Sequence, residues 1–191
     1  MESRLSSSQV QGGSHQVNLL LRPATKADIP AIRGIYNDAI LNTTSTFDST
    51  PKSMAEMESW FAAHDERHPI LVMVADGHVW GWASLSRWSD RAAYDGTAEL
   101  SVYVHPEHRG QGIGRKLMAA ILEEGRRAGL HTVISRIEAG NAASIHLHAA
   151  FGFSMVGVMK EVGCKFGRWL DVAIMQLILE GQTGPVALIQ E

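Results

Sequence analysis

Hydrophobic residues recur along this chain with two different spacings. Short apolar runs predict strands at 17–22, 70–75, 78–85, 97–104, 132–137, 155–160 and 170–179. Apolar residues three and four positions apart predict helices over 29–40, from Ser53 onward, after a glycine-rich segment up to about 128, and over 142–150. The order is thus strand, two helices, three strands, helix, strand, helix, two strands. It predicts a mixed α/β domain of two or three layers.

Turn and capping residues separate these elements. Asp76-Gly77 predicts a hairpin between two strands. Gly129 and Gly152 each follow a helical stretch and can end it, while Asn141 precedes one and can cap it. The predicted buried face of the third helix consists of Ile113, Leu117, Ile121 and Leu122.

The length of 191 residues indicates one domain. Residues 1–17 are rich in Ser, Gln and Gly without periodicity, which predicts a flexible N-terminal tail. We expect the folded domain to span residues 18–180 and a C-terminal tail to occupy residues 181–191.

Composition and charge narrow the class of protein. The formal net charge of −3 gives no reason to expect nucleic acid or an anionic membrane as a partner. No apolar run approaches the roughly 18 residues that span a bilayer. Cys164 is the single cysteine, which excludes an intramolecular disulfide. These features predict a soluble, cytosolic protein. The nine histidines lack the spacing of a metal site, so we expect no metal.

The segment from Arg109 to Gly114 lies between a predicted strand and a predicted helix. Its glycines remove side chains where a backbone must approach a ligand, and unpaired N–H groups at a helix start favour an anion. Arg115, and not Lys-Ser or Lys-Thr, follows the last glycine, which argues against a P-loop. The glycine spacing also differs from that of dinucleotide sites. The segment therefore predicts a phosphate cradle that begins a helix.

The Arg-x-x-Gly-x-Gly pattern after a strand resembles the pyrophosphate motif of the GNAT superfamily of N-acetyltransferases. Further segments resemble its phosphinothricin and methionine sulfoximine acetyltransferase family, namely 36–39, 42–44, 97–99, 140–145 and 166–171. The resemblance covers residues 19–179. It implies the GNAT fold, a mixed twisted sheet with a splayed central strand pair flanked by helices. It also implies acetyl-CoA as co-substrate and direct acetyl transfer to the α-amino group of a small amino acid.

The resemblance further implies which residues hold the donor. Backbone groups of Val102, Tyr103 and Val104 would bind the acetyl and pantetheine part, with the Val102 N–H facing the thioester oxygen. The pyrophosphate would lie on Arg109, Gly110, Gln111, Gly112, Ile113, Gly114 and Arg115. Asn141, with help from Ser144, would bind the pantetheine arm. Asn141 could equally be a helix cap, and both roles are compatible.

Glu99 is the candidate general base, because the resembling enzymes place a carboxylate near the start of the splayed strand. It could instead bind the ammonium without accepting a proton, or face solvent. For the proton that the CoA thiolate needs, many GNAT enzymes use a tyrosine where this chain has His148. His148 could replace that acid, or water could supply the proton; Tyr103 is a weaker substitute.

We expect the acceptor to contact the 87–95 loop and the start of the splayed strand, through Ser89, Asp90, Arg91, Glu99, Leu100 and Ser101. Arg91 could pair with a substrate carboxylate. The resembling enzymes are homodimers, and a late loop with Lys165, Arg168 and Asp171 would lie near the dimer interface. Two alternatives stay open. The acceptor could be a polyamine, an aminoglycoside or a protein N-terminus, or the protein could be a CoA-binding sensor without turnover.

Overall fold

The computed structural model describes residues 18–179. The strands are β1 (Leu20–Pro23), β2 (Ile70–Ala75), β3 (His78–Arg87), β4 (Thr97–Val104), β5 (Thr132–Glu138), β6 (Ser154–Lys165) and β7 (Arg168–Ile178). The helices are α1 (Ile29–Asn42), α2 (Met54–Ala62), α3 (Ile113–Arg127) and α4 (Ala142–Ala150). This order confirms the predicted sequence of elements. The two predicted tails, residues 1–17 and 181–191, lie outside the described residues.

All seven strands form one mixed sheet in the order β1-β2-β3-β4-β5-β7-β6. β4 and β5 are its parallel pair, and they are paired only from Thr97↔Thr132 to Glu99↔Ile134. Beyond that point β4 continues to Val104 and β5 to Glu138, with no further pairing between them. The predicted splayed pair is therefore present, and it opens immediately after Glu99.

Helices cover both faces of the sheet, which gives three layers. On one face α3 buries Ile113, Leu117, Met118, Ile121 and Leu122 against the sheet, as its spacing predicts. On the other face α1 and α2 pack Ile32 and Met57 on Val72 and Trp82. The side chains of β4 alternate between the two cores, since successive residues of a strand point to opposite faces. Tyr103 packs with the α1–α2 core, whereas Leu100, Val102 and Val104 belong to the α3 core.

The C-terminal strands differ from the sequence prediction. We expected strands at 155–160 and 170–179 joined by a loop, but β6 and β7 form one long hairpin whose turn is Phe166-Gly167. Both turn residues have positive φ, 52° and 71°, as a tight hairpin turn requires. The strand pairing is irregular between Met159 and Gly163, where the Asp171 carboxylate accepts the Glu161 N–H at 2.8 Å. This irregularity interrupts the period of two that identifies a strand.

Of the helices described over residues 18–179, none combines the length and the apolar character needed to cross a membrane.

Candidate active site

A cavity of about 920 Å³ opens where β4 and β5 separate. Its walls are β4 from Glu99 to Val104, β5 from Ser135 to Glu138, the first turns of α3 and α4, and the segment 45–48 after α1. The predicted residues that line it are Glu99, Leu100, Ser101, Val102, Tyr103, Val104, Arg109, Gly110, Gly112, Ile113, Gly114, Asn141, Ser144 and His148. The fold thus brings most of the predicted site together in one place.

Every second residue of β4 points its backbone N–H and carbonyl groups into this cavity. His105 donates its N–H to the Trp80 carbonyl of β3 at 2.8 Å. Because antiparallel pairing engages every second residue, the backbone groups of Val102 and Val104 point away from β3. The Val104 carbonyl accepts a hydrogen bond from Arg109 Nε at 3.2 Å on that side. Among residues 18–179, no strand pairs with β4 there beyond Glu99, so the Val102 N–H faces the gap.

The glycine segment closes one end of the cavity. Gly110 and Gly112 have φ of 76° and 78°, a conformation that side-chain-bearing residues rarely adopt. Gly112 directly precedes α3, whose first N–H groups are unpaired within the helix. Arg109 lies 3.5 Å from Asp38. Gln111 and Arg115, which were predicted to bind the pyrophosphate, are exposed and do not line the cavity.

The start of α4 and the middle of β5 add polar groups to the same wall. Asn141 Oδ1 accepts the Ser144 N–H at 3.1 Å, so the predicted cap is present. Its Nδ2 lies 3.5 Å from Ser45 Oγ. The Ser135 side chain is 1% exposed, and its hydroxyl has no hydrogen-bond partner among the described residues. A buried hydroxyl without a partner is costly, and a ligand in the cavity would relieve that cost.

His148 is buried at the cavity wall. Its Nδ1 lies 2.7 Å from the Ser144 carbonyl oxygen, and its ring meets Phe153 edge-on at 5.0 Å. Burial lowers the pKa of His148, while the hydrogen bond to Ser144 raises it by less. The ring is therefore neutral at pH 7 with its proton on Nδ1, because a carbonyl oxygen can only accept.

Glu99 is held by a partner that the sequence did not reveal. Arg136 of β5 donates from Nε and from its terminal nitrogen to the two Glu99 carboxylate oxygens, at 2.6 and 2.7 Å. This bidentate pair bridges β4 and β5 where they separate. The Arg136 guanidinium also lies over the Trp88 ring, 5.8 Å from its centroid. The one sequence feature that could have indicated this partner is Arg136 itself, the only arginine within the apolar run of β5.

A network of hydroxyl groups fixes the segment after α1 against β4. Tyr36 donates to Asp48 Oδ2 at 2.8 Å and lies 3.0 Å from the Thr46 hydroxyl. Tyr103 donates to the Ser45 carbonyl at 3.4 Å, and burial raises the pKa of Tyr103 to about 12. Lys165 of β6 donates to the Thr46 carbonyl at 2.7 Å. The predicted late-loop residue Lys165 is thus buried at a strand end and supports this segment.

The structure does not bring the 87–95 loop residues into the cavity. Ser89, Asp90 and Arg91 do not line it, and the Asp90 and Arg91 side chains are exposed. The reason is that β3 ends at Arg87, opposite Ala98, so the loop leaves the sheet before the cavity begins. Leu100 does lie at the cavity, but its side chain belongs to the α3 core. The geometry therefore does not support the prediction that the side chains of Ser89, Asp90, Arg91 and Leu100 contact the acceptor.

One group of metal-ligating side chains occurs among the described residues. His105, Glu107 and His108 place one ligand atom each within 4.8 Å of one another, at the turn before the glycine segment. The His108 ring stacks on Trp80 at 3.7 Å, and His105 Nδ1 accepts the Glu107 N–H at 3.4 Å. These contacts explain the turn without an ion, and the absence of a metal stays a prediction.

Comparison with known proteins agrees with this geometry. Residues 33–153 match the model of the acetyltransferase (GNAT) family. An L-methionine sulfoximine/L-methionine sulfone acetyltransferase of Pseudomonas paraeruginosa is 47% identical over 162 residues, which cover 84% of this chain and 94% of that protein. The chain therefore belongs to the acetyltransferase (GNAT) family, and the predicted family and fold are confirmed.

Two solved structures are also close. A phosphinothricin acetyltransferase from Sinorhizobium meliloti, in complex with acetyl-CoA, has a TM-score of 0.84 and 38% identity, covering 88% of this chain and 94% of that one. A ribosomal-protein-alanine N-acetyltransferase from Brucella melitensis has a TM-score of 0.81 and 45% identity, covering 84% and 99%. The GNAT fold is thus shared with enzymes that bear different acceptor names.

Proposed function

We propose that this protein transfers the acetyl group of acetyl-CoA directly to the α-amino group of a small amino acid. Phosphinothricin, methionine sulfoximine and methionine sulfone are the preferred candidates. The observation that carries the proposal is the separation of β4 and β5 immediately after Glu99. It leaves the Val102 N–H facing a cavity that has the glycine segment at one end and a carboxylate at the other.

The residues present fit acetyl-CoA. The diphosphate would bind Gly110, Gly112 and the first turn of α3, where a helix start favours anions. The pantetheine arm would lie in the gap, against the Val104 backbone, Asn141 and the unpartnered Ser135 hydroxyl. When bound there, acetyl-CoA supplies an activated thioester. The Val102 N–H would stabilise the charge that develops on the thioester oxygen, which is a large catalytic term when the donor is fixed in advance.

Glu99 is proposed as the general base. An α-amino group has a reference pKa of about 8, so most of it is protonated at neutral pH and cannot attack. Conversion of an ammonium to an acetamide releases two protons. Glu99, on the same face of β4 as Tyr103, would accept the first, directly or through water.

The nitrogen would lose the second proton to water, and the CoA thiolate would in turn take up a proton from water. His148 at rest has its proton on Nδ1, bound to the Ser144 carbonyl, so its Nε2 can accept a hydrogen bond but not donate one. Tyr103 is a poor acid for this step. Its pKa of about 12 lies well above that of a thiol, which is about 8.5.

The protein is proposed to act as a homodimer in the cytoplasm, without nucleic acid or membrane partners. The support for a dimer is the edge strand β6, which exposes Met155, Val156 and Val158 away from the residues that line the cavity. Trp169 on β7 is 66% exposed beside it. Several large apolar side chains exposed on one edge strand are unusual unless a partner covers them. A free thiol at Cys164 suits a reducing compartment.

A protein N-terminus is the second candidate acceptor, favoured by the name of the Brucella melitensis neighbour. The test is release of CoA thiol from acetyl-CoA across a panel: the three amino acids above, a polyamine, an aminoglycoside and a peptide with N-terminal alanine. We expect turnover of at least one of the three amino acids. Turnover of another amine alone would reject the acceptor class. Tight acetyl-CoA binding without thiol release from any amine would indicate a sensor.

A further inference from the structure

The ion pair between Glu99 and Arg136 has an unusual position for a structural contact. It joins the two splayed strands at the point where they separate, and both side chains line the cavity. The Arg136 side chain is 55% exposed and that of Glu99 is 24% exposed. Exposed ion pairs contribute little to stability, roughly 0–1 kcal/mol. The pair can therefore be opened at small cost.

An α-amino acid carries the same two charges as this pair, joined through one carbon atom. If it enters between the two side chains, its carboxylate can replace that of Glu99 on Arg136, and its ammonium can replace the guanidinium on Glu99. One ion pair is exchanged for two, and the bidentate geometry of a guanidinium suits a carboxylate. The exchange also frees Glu99 from Arg136 at the moment when its carboxylate is needed beside the amine.

Two observations favour Arg136 over Arg91 as the arginine that binds the substrate carboxylate. Arg136 lines the cavity, whereas Arg91 is exposed on the 87–95 loop and does not. The Arg136 guanidinium also lies over the Trp88 ring, 5.8 Å from its centroid, and this contact can hold the group when Glu99 leaves it.

We propose that Arg136 binds the α-carboxylate of the acceptor, and that the acceptor enters by opening the Glu99–Arg136 ion pair. The site then selects zwitterionic α-amino acids. It discriminates against polyamines and against peptide N-termini, which have no carboxylate next to the reacting amine. The proposal rests on the proposed function and specifies the part of the acceptor that is recognised.

The test compares methionine sulfone with its carboxamide, which keeps the amine and lacks the carboxylate. Wild-type enzyme should prefer the acid. In Arg136→Met, kcat/KM for the acid should fall about 10- to 100-fold, the range for loss of a charged hydrogen-bonding partner, while that for the carboxamide stays within about threefold. Arg136→Lys should restore part of the preference, because it keeps the charge but not the bidentate geometry.

A binding measurement gives a second readout. Titration calorimetry of methionine sulfone into the protein saturated with CoA should show the same rise in Kd for Arg136→Met. Arg127→Met is the matched control. Arg127 donates to Glu124 at 2.8 Å on α3 and does not line the cavity, so this variant should keep wild-type values. If Arg136→Met does not fold, Arg136→Lys carries the test alone.

Three results would overturn the proposal. An equal fall for acid and carboxamide would mean that Arg136 only positions Glu99. No change for either would mean that Arg136 has no role in the reaction. Loss of acid preference in Arg91→Met but not in Arg136→Met would move the carboxylate site to the loop. Failure of the proposed function can be distinguished from these three results, because wild-type enzyme would then acetylate none of the amino acids.

Discussion

His148 Nδ1 lies 2.7 Å from the carbonyl oxygen of Ser144, one turn earlier in α4. This contact places the proton of the neutral ring on Nδ1 and leaves Nε2 as an acceptor. Burial lowers the pKa of His148, because the charged ring would lose its hydration. His148, at the position where the resembling enzymes often have an acid, therefore has a neutral side chain.

Replacement of His148 should accordingly have a small effect on catalysis. His148→Gln keeps a polar group at the cavity wall, and we expect kcat to fall by less than about tenfold between pH 7 and pH 9. A residue that supplies an essential proton contributes typically 10²–10⁴-fold, so a loss of about that size would reinstate His148 as the acid. The exposed His146 of the same helix offers a control, and His146→Gln should match the wild type.

The same burial predicts an acid-sensitive fold. The unfolded chain binds a proton on this ring below its ordinary pKa of about 6.5, whereas the folded chain resists it, so stability falls as pH decreases through that range. Thermal unfolding between pH 7.5 and pH 5 should show a shallower decline of Tm for His148→Gln than for the wild type. Identical slopes would mean that His148 is protonated equally in the folded and unfolded states.

We expect Gly110 to be needed for the binding of acetyl-CoA more than for the stability of the fold. Its φ of 76° matches the 77° of Gly77 in the β2–β3 hairpin, and neither glycine has an atom within 4 Å of an added methyl group. Alanine at either position should cost about 1–2 kcal/mol of stability, the penalty for a left-handed backbone. Only Gly110→Ala should raise KM for acetyl-CoA. A similar rise in Gly77→Ala would show that KM merely follows stability.

The exposed apolar surface of β6 predicts the dimer contact. Val156 is 60% exposed on this edge strand, and Val156→Asp would place a charge where a partner would bury it. Light scattering after size-exclusion chromatography should show a dimer for the wild type and monomer for this variant. Leu20, 55% exposed on the opposite edge of the sheet, supplies the control Leu20→Asp, which should stay dimeric. A monomeric wild type would remove the dimer proposal.

Local patterns predicted most of the fold and the end of the cavity that the glycine segment forms. The glycines at 110 and 112 are readable because positive φ and a helix start restrict residue type. Asn141 is readable for a similar reason, since capping needs a short polar side chain. The predicted boundaries of β6 and β7 were wrong, because the irregularity at which Asp171 binds the Glu161 N–H breaks the alternation of side chains along β6.

The end of the cavity beside Glu99 could not be predicted in the same way. Arg91 was predicted to pair with a substrate carboxylate, but it is exposed on the 87–95 loop and does not line the cavity. Arg136 comes from β5, and its distance to Glu99 depends on how two strands 37 residues apart separate. Tertiary geometry of this kind leaves no short motif in the sequence.

The pH profile of kcat/KM for Glu99→Gln tests the central claim most directly. The substitution keeps the size of the side chain and one oxygen for Arg136, but it removes the base. With methionine sulfone as acceptor, we expect a loss of about 10²–10⁴-fold at pH 7 that shrinks as pH rises past the pKa of the amine, near 8. Glu58→Gln, an exposed change on α2, should follow the wild type. Wild-type kcat/KM for Glu99→Gln at every pH would contradict the account.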